Sequence, residues 1–211
     1  MPVTTAALRV LMKAKTEAPR RAAFLDRDGV VNLDRDYVHR REDFVFVPGA
    51  LEGARELYRR GFILIVITNQ SGIGRGLYTE AQFHELTDWM RGEFASAGAP
   101  LAGVYYCPHH PTAANSLYRQ HCDCRKPAPG MLIDSAREHR VALGQSVLFG
   151  DRETDLEAAR AAGVPIRVLL GTDSREVPAL GSAMGLATAR FRNLLEAAAE
   201  TAQLGLAETD Q

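Results

Sequence analysis

The chain has 211 residues, of which 46% are hydrophobic and 24% charged, proportions that exclude a disordered or fibrous polymer and fit a globular domain. Its 25 Lys and Arg against 26 Asp and Glu leave a formal charge of −1, so it lacks the overall basic field that nucleic-acid binders use to attract polyanions. The longest apolar run, 62–67, is far shorter than the roughly 20 residues that span a bilayer, and no membrane partner is expected. The length predicts one domain with insertions.

The first twenty residues mix basic side chains with Glu17 and contain no uninterrupted apolar segment, unlike a secretory leader. They read as an extension over 1–20 of a cytoplasmic protein, ahead of a single domain over 21–200 and a tail over 201–211. From residue 22 the chain alternates strands and helices. Residues 22–26 form a short apolar run ending in acid, and 62–67 is apolar at every position, as in a strand covered on both faces. Between them, Leu51, Ala54, Leu57 and Tyr58 recur at helical spacing over 48–60, with Gly61 as the left-handed stop.

Thr79 followed by Gln82 has the form of a capping box. Phe83, Leu86, Met90, Phe94 and Ala97 then keep a 3.6-residue period as far as Gly98. Strands are expected at 104–106, 146–149 and 166–170, and helices from Pro129 to about Val141 and over 153–162, the latter stopped by Gly163. Ala189 to Ala202 reads as a surface helix. Five alternations of strand and helix predict an α/β fold with a doubly wound, parallel sheet, whose ligands bind beyond the carboxyl ends of the strands.

The residues at those ends carry chemistry. Asp26-Arg27-Asp28-Gly29 follows the first strand. Alone it reads as an acidic turn closed by glycine; its place after a buried strand favours a cleft in which one carboxylate can attack while the other shuttles a proton. Thr68-Asn69-Gln70-Ser71-Gly72 follows the second strand as either a flexible loop or an anion cradle of a hydroxyl and backbone N–H groups. Its glycines lack the spacing of a dinucleotide fingerprint.

All three cysteines lie between 107 and 124, an odd count unsuited to a disulfide framework. With His109 they give C-x-H-x₁₂-C-x-C, two close pairs that match a closed tetrahedral zinc site of Cys107, His109, Cys122 and Cys124. A closed site has no place for water, so its role is to staple a long loop. Arg125 and Lys126 come straight after that loop, as solvated cations or as a rigidly held anion contact. Gly150-Asp151 follows the fourth strand. Asp151 serves either as a helix-start acid or, with Asp26, as an oxygen ligand for Mg²⁺.

These motifs, in this order, resemble the haloacid dehalogenase superfamily of phosphatases, whose four signatures match Asp26-x-Asp28, Thr68, Lys126 and Gly150-Asp151. The stretches 24–29, 68–73, 107–111 and 122–127 are similar to its heptose 1,7-bisphosphate phosphatase branch, the zinc loop included, over about residues 20–170. Histidinol-phosphate phosphatases share nearly all these motifs and stand as the alternative.

The resemblance implies a phosphomonoester hydrolase with no large cap domain, serving nucleotide-activated heptose biosynthesis. Its catalytic residues would be Asp26 as nucleophile, Asp28 as acid and base, and Thr68 and Lys126 as phosphoryl contacts. Mg²⁺ would be held by Asp26, the Asp28 carbonyl and Asp151, and Zn²⁺ by the Cys/His quartet. A phosphosugar substrate would meet Asp34, Arg35, Asp36, Tyr37, Asn69, Gln70, Ser71, Arg125 and Arg152. The branch commonly has Gly where Asp36 stands and Lys where Arg152 stands, which bears on sugar preference. A monomer suffices for this chemistry. A zinc module binding nucleic acid, or a phosphatase of nucleic-acid ends, would need a basic groove that the charge balance does not supply.

Overall fold

A computed structural model describes residues 18–171 and 186–200. Six strands, β1 (Ala22–Leu25), β2 (Ile63–Asn69), β3 (Leu101–Cys107), β4 (Val147–Gly150), β5 (Ile166–Leu170) and β6 (Ala189–Phe191), form one sheet in the order β3-β2-β1-β4-β5-β6. All five pairings are parallel. This confirms the doubly wound sheet. The order reverses between β1 and β4, the point at which loops from adjacent strands diverge to opposite faces and leave a crevice.

Among the described residues six helices cover the faces: α1 (Ala50–Arg59), the single turn α2 (Ser71–Gly74), α3 (Glu80–Ser96), α4 (Gly130–His139), α5 (Glu153–Ala161) and α6 (Leu194–Ala199). Strand alternation decides which core each residue joins. Ala23 and Leu25 of β1 point to a cluster with Leu57 of α1, Met90 and Phe94 of α3, and Leu194 of α6. Ala22 and Phe24 point to the opposite cluster, with Met131 and Leu132 of α4 and Leu156 of α5. The central strands are therefore buried on both faces, which is why 62–67 needs no polar alternation. Truncating a fully buried member such as Phe94 to Ala would cost about 3–5 kcal/mol through lost transfer energy and the cavity left behind.

The helix signals hold locally. Thr79 Oγ1 accepts from Gln82 N at 3.2 Å while Gln82 Oε1 accepts from Thr79 N at 2.9 Å, closing the capping box. Gly61 and Gly163 take φ of 83° just past α1 and α5. Pro129 caps α4 instead of forming its first turn.

The reading of 189–202 as a surface helix needs correction. Ala189–Phe191 is a sixth strand paired with β5, and the helix begins only at Leu194. Nor is that helix superficial: Leu194, Ala197 and Ala198 are fully buried, and a Cβ on Gly53 of α1 would overlap the Leu194 backbone at 2.6 Å. Most of the extension over 1–20, the stretch 172–185 and the tail 201–211 lie outside the described residues. No helix among the described residues is long and apolar enough to cross a membrane.

Candidate active site

β1 and β4 end beside each other at the crevice, and their loops deliver the acids. Asp26 continues the ladder by donating its backbone N–H to Phe149 O at 3.0 Å, so its side chain is placed by the sheet itself. It is 7% exposed, and Oδ1 accepts from Arg27 N at 2.7 Å and faces Lys126 Nζ at 2.8 Å. Burial, then the nearby Asp155 carboxylate, raise its pKa well above the usual carboxylate range, against the opposing pull of Lys126.

Lys126 is buried between two carboxylates. Its Nζ meets Asp155 Oδ1 at 2.6 Å and Asp26 Oδ1 at 2.8 Å and donates to Ile67 O at 3.0 Å. Burial works against its charge, but Asp155 and Asp26 outweigh it and push the pKa up, keeping the ammonium charged. Asp151 is pushed up to about 7, first by burial and then by Asp155. Two glycines admit this crowding. A Cβ on Gly29 would lie 2.1 Å from Asp151 Oδ2, and one on Gly150 would lie 2.4 Å from Asp155 Cβ.

Asp28 is the more open acid. Its carboxylate accepts from Arg27 NH2 at 2.9 and 3.1 Å, from Asn32 Nδ2 at 3.0 Å and from Gln70 Nε2 at 3.0 Å. These three donors leave it held but reachable from the cavity.

A cavity of about 480 Å³ opens over these groups, and Asp26, Asp28, Thr68 and Lys126 all line it. Asp34, Asp36, Tyr37, Ser71, Arg125 and Arg152 line it as well. Arg35 is exposed and is not among the lining residues. Asp36 and Tyr37 both take left-handed φ, 54° and 56°, so the place where the branch commonly has glycine is a strained backbone position. Arg152 NH2 reaches across to Asp34 Oδ2 at 2.6 Å, and Arg125 NH1 donates to His109 O at 3.2 Å.

Asn69 and Gln70 also border the cavity, but their amides are occupied by the protein. Asn69 binds the Lys126 backbone at both polar atoms, and Gln70 binds Asp28 and Thr68.

Four functional candidates escaped the sequence reading. Asp155 is 1% exposed and converges with Asp26 and Asp151, each offering an oxygen within 4.8 Å of the others. The spacing Asp151-x-x-x-Asp155, running from just before α5 into its first turn, was the available signal. Arg27 folds inward to Asp28 and Val38 O, Asn32 backs Asp28, and Tyr78 binds Gln70.

The three converging carboxylates fit a hard divalent cation. They outnumber the single ammonium beside them, and Asp151 Oδ1 is buried with no hydrogen-bond partner, the state of an oxygen shaped for a cation. The sulfur-rich cluster fits zinc. Cys107 Sγ lies 3.6 Å from Cys122 Sγ, Cys122 Sγ 3.2 Å from Cys124 Sγ, and His109 Nδ1 3.3 Å from Cys124 Sγ and 3.7 Å from Cys107 Sγ. Those edges approach the roughly 3.7 Å that Zn–S bonds of about 2.3 Å impose on a tetrahedron. The cysteines are free, and their separations are too long for disulfides.

The chain is 49% identical over 158 residues to the D-glycero-β-D-manno-heptose-1,7-bisphosphate 7-phosphatase of Escherichia coli K12, an alignment covering 74% of this chain and 82% of that one. The chain belongs to the heptose 1,7-bisphosphate 7-phosphatase family. The Photorhabdus laumondii member is 48% identical over 151 residues, covering 72% and 80% of the two chains. A HAD-hydrolase-like family model matches residues 123–197, in keeping with the parallel sheet. A heptose bisphosphate phosphatase from B. bronchiseptica, solved with magnesium and phosphate, superposes with a TM-score of 0.72 at 31% identity, covering 87% of this chain and 99% of that one. The named relatives favour the heptose branch over the histidinol-phosphate alternative.

Proposed function

We propose that this chain is a magnesium-dependent phosphatase that removes the 7-phosphate of D-glycero-β-D-manno-heptose 1,7-bisphosphate. The observation that carries the reading is the buried Asp26–Lys126 pair at 2.8 Å, set beside two further carboxylates at the sheet's switch point. A buried nucleophile with a fixed cation and a cluster fit for a divalent metal is what attack on an anionic phosphate requires.

Asp26 attacks phosphorus, forming an acyl phosphate as the bond to the sugar oxygen breaks. Asp28, protonated at that moment, gives its proton to the departing oxygen. A water then attacks the phosphorus, Asp28 takes its proton, and the Asp26 carboxylate is released with inorganic phosphate. Lys126 neutralises charge on Asp26 and the phosphoryl group throughout, and Thr68 and Ser71 offer hydroxyls to the phosphoryl oxygens.

Asp26, Asp151 and the Asp28 carbonyl would hold Mg²⁺, which when bound offsets the repulsion between carboxylates and phosphate. Asp155 completes the acidic wall and fixes Lys126. Arg125, Arg152 and the 34–37 loop are placed to receive the sugar and its distal phosphate. Cys107, His109, Cys122 and Cys124 would hold Zn²⁺ as a structural ion, fixing the loop that leads directly into Arg125 and Lys126.

The test is magnesium-dependent phosphate release from the heptose bisphosphate, with Asp26→Asn as the control. Turnover by the parent and none by a folded Asp26→Asn supports the reading. Activity of the variant within tenfold of the parent defeats it.

A further inference from the structure

Gln70 borders the cavity, yet both of its amide hydrogens and its amide oxygen are engaged by the protein. It is 2% exposed. One amide N–H is directed to Asp28 Oδ2 at 3.0 Å and the other to Thr68 Oγ1 at 2.8 Å, while the amide oxygen accepts from the Tyr78 hydroxyl. A side-chain amide has two donors and one acceptor oxygen, and here each kind is committed to a protein partner.

Tyr78 decides which way that amide faces. Its ring packs with Ile73 and Phe83 and stacks on His39 at 4.9 Å with planes 5° apart. A Cβ on Gly72 would overlap the Tyr78 ring at 2.1 Å, so the ring fills the only space a larger residue there would need. Burial pushes the Tyr78 hydroxyl up to about 12, so it remains a donor at any working pH. With the hydroxyl aimed at Oε1, the nitrogen must face Asp28 and Thr68.

We propose that Gln70, oriented by Tyr78, is a positioning residue that locks Asp28 to Thr68 and holds the Asp28 carboxylate where it can take a proton from the attacking water. The inference rests on the reading of Asp28 as acid and then base. The shared amide ties the proton-transfer group to the hydroxyl that meets the phosphoryl oxygens. The Tyr78 hydroxyl donates to Gln70 and to neither of the groups that Gln70 joins, so its positioning effect runs through Gln70.

p-Nitrophenyl phosphate separates the two half-reactions. p-Nitrophenolate leaves without needing a proton, so phosphorylation of Asp26 is insensitive to Asp28, whereas hydrolysis still needs its base. Stopped-flow release of nitrophenolate by Gln70→Leu and Tyr78→Phe is predicted to show a burst of one equivalent per active site. The steady rate that follows falls at least tenfold below the parent's, with KM within threefold. Tyr78→Phe added to Gln70→Leu changes the steady rate by less than threefold, because a residue acting through another has no effect once that other is gone.

A raised KM with unchanged kcat would make Gln70 a substrate ligand and overturn the inference, as would a loss of kcat without a burst. Asp26→Asn, run alongside, keeps the two claims separate. If it is inactive while Gln70→Leu and Tyr78→Phe behave as the parent, only the positioning role falls; if it turns over, the nucleophile assignment falls, whatever the other variants do.

Discussion

Asn69 holds the backbone of Lys126 at both polar atoms, donating from Nδ2 to Lys126 O at 3.1 Å and accepting from Lys126 N at Oδ1, also at 3.1 Å. The last residue of β2 thereby fixes the position of a cation that arrives from a loop 57 residues later. Asn69→Leu should lower kcat by about 10- to 100-fold with KM little changed, since small displacements of a catalytic group cost on that order. Steady-state kinetics check this. A pure KM effect would return Asn69 to the substrate-binding role expected from sequence.

Asp155 and Asp26 share one ammonium, and Asp155 also accepts from Arg152 N at 3.0 Å to cap α5. Asp155→Asn keeps the shape but removes the charge facing Lys126. Breaking a buried pair at one partner costs about 3–5 kcal/mol. Asp26 still faces Lys126 in the variant and one carboxylate repulsion is removed, so urea unfolding of the metal-free protein should show a loss below that figure, together with reduced turnover. A loss below 1 kcal/mol would mean that Asp26 alone satisfies the lysine.

Three carboxylates converge around one ammonium, so the metal-free protein carries repulsion that a divalent cation relieves. Magnesium at about 100 times its Kd should stabilise the fold by about 2.7 kcal/mol by mass action. Thermal melts with and without magnesium measure the effect, and Asp151→Asn should abolish most of it. An unchanged melting temperature in the parent would contradict the metal assignment.

The sulfur cluster gives an independent test, because it lies in the loop that leads to Arg125 and Lys126. Cys122→Ser should bind less zinc and melt lower, with activity falling as the loop loosens. Metal analysis of the purified variant is the check. Full zinc occupancy would refute the ligand set.

Arg152 reaches Asp34 at 2.6 Å but keeps 64% of its side chain exposed, so exchanging that partner for a phosphate costs little burial. Arg152→Ala should raise KM for a bisphosphate by about tenfold, the worth of one charge-assisted contact, while leaving KM for p-nitrophenyl phosphate nearly unchanged. Equal effects on both would place Arg152 at the reacting phosphate instead.

Much of this site was legible because its residues stand at strand ends. Asp26, Thr68 and Asp151 are each located by where an apolar run stops, Lys126 by the Cys/His loop it follows, and the Cys/His spacing needs no fold at all. Asp155 was hidden because an acid in the first turn of a helix is explained by capping, and it does cap; only the approach of Lys126 reveals its second role. Asn69 and Gln70 resemble ligands in a loop, and nothing local says that their amides are occupied by residues 57 and 42 positions away. The strand at 189–191 was obscured by its three-residue length and by the Ala-rich helix that follows, where intrinsic propensity outweighs any period-two pattern.

The most direct test of the account is phosphate release by the purified protein with magnesium, comparing D-glycero-β-D-manno-heptose 1,7-bisphosphate, its α anomer and histidinol phosphate in one assay. The account predicts that the β-bisphosphate exceeds histidinol phosphate by about 100-fold or more in kcat/KM, or about 2.7 kcal/mol of differential transition-state binding. A preference of that size for histidinol phosphate would contradict it.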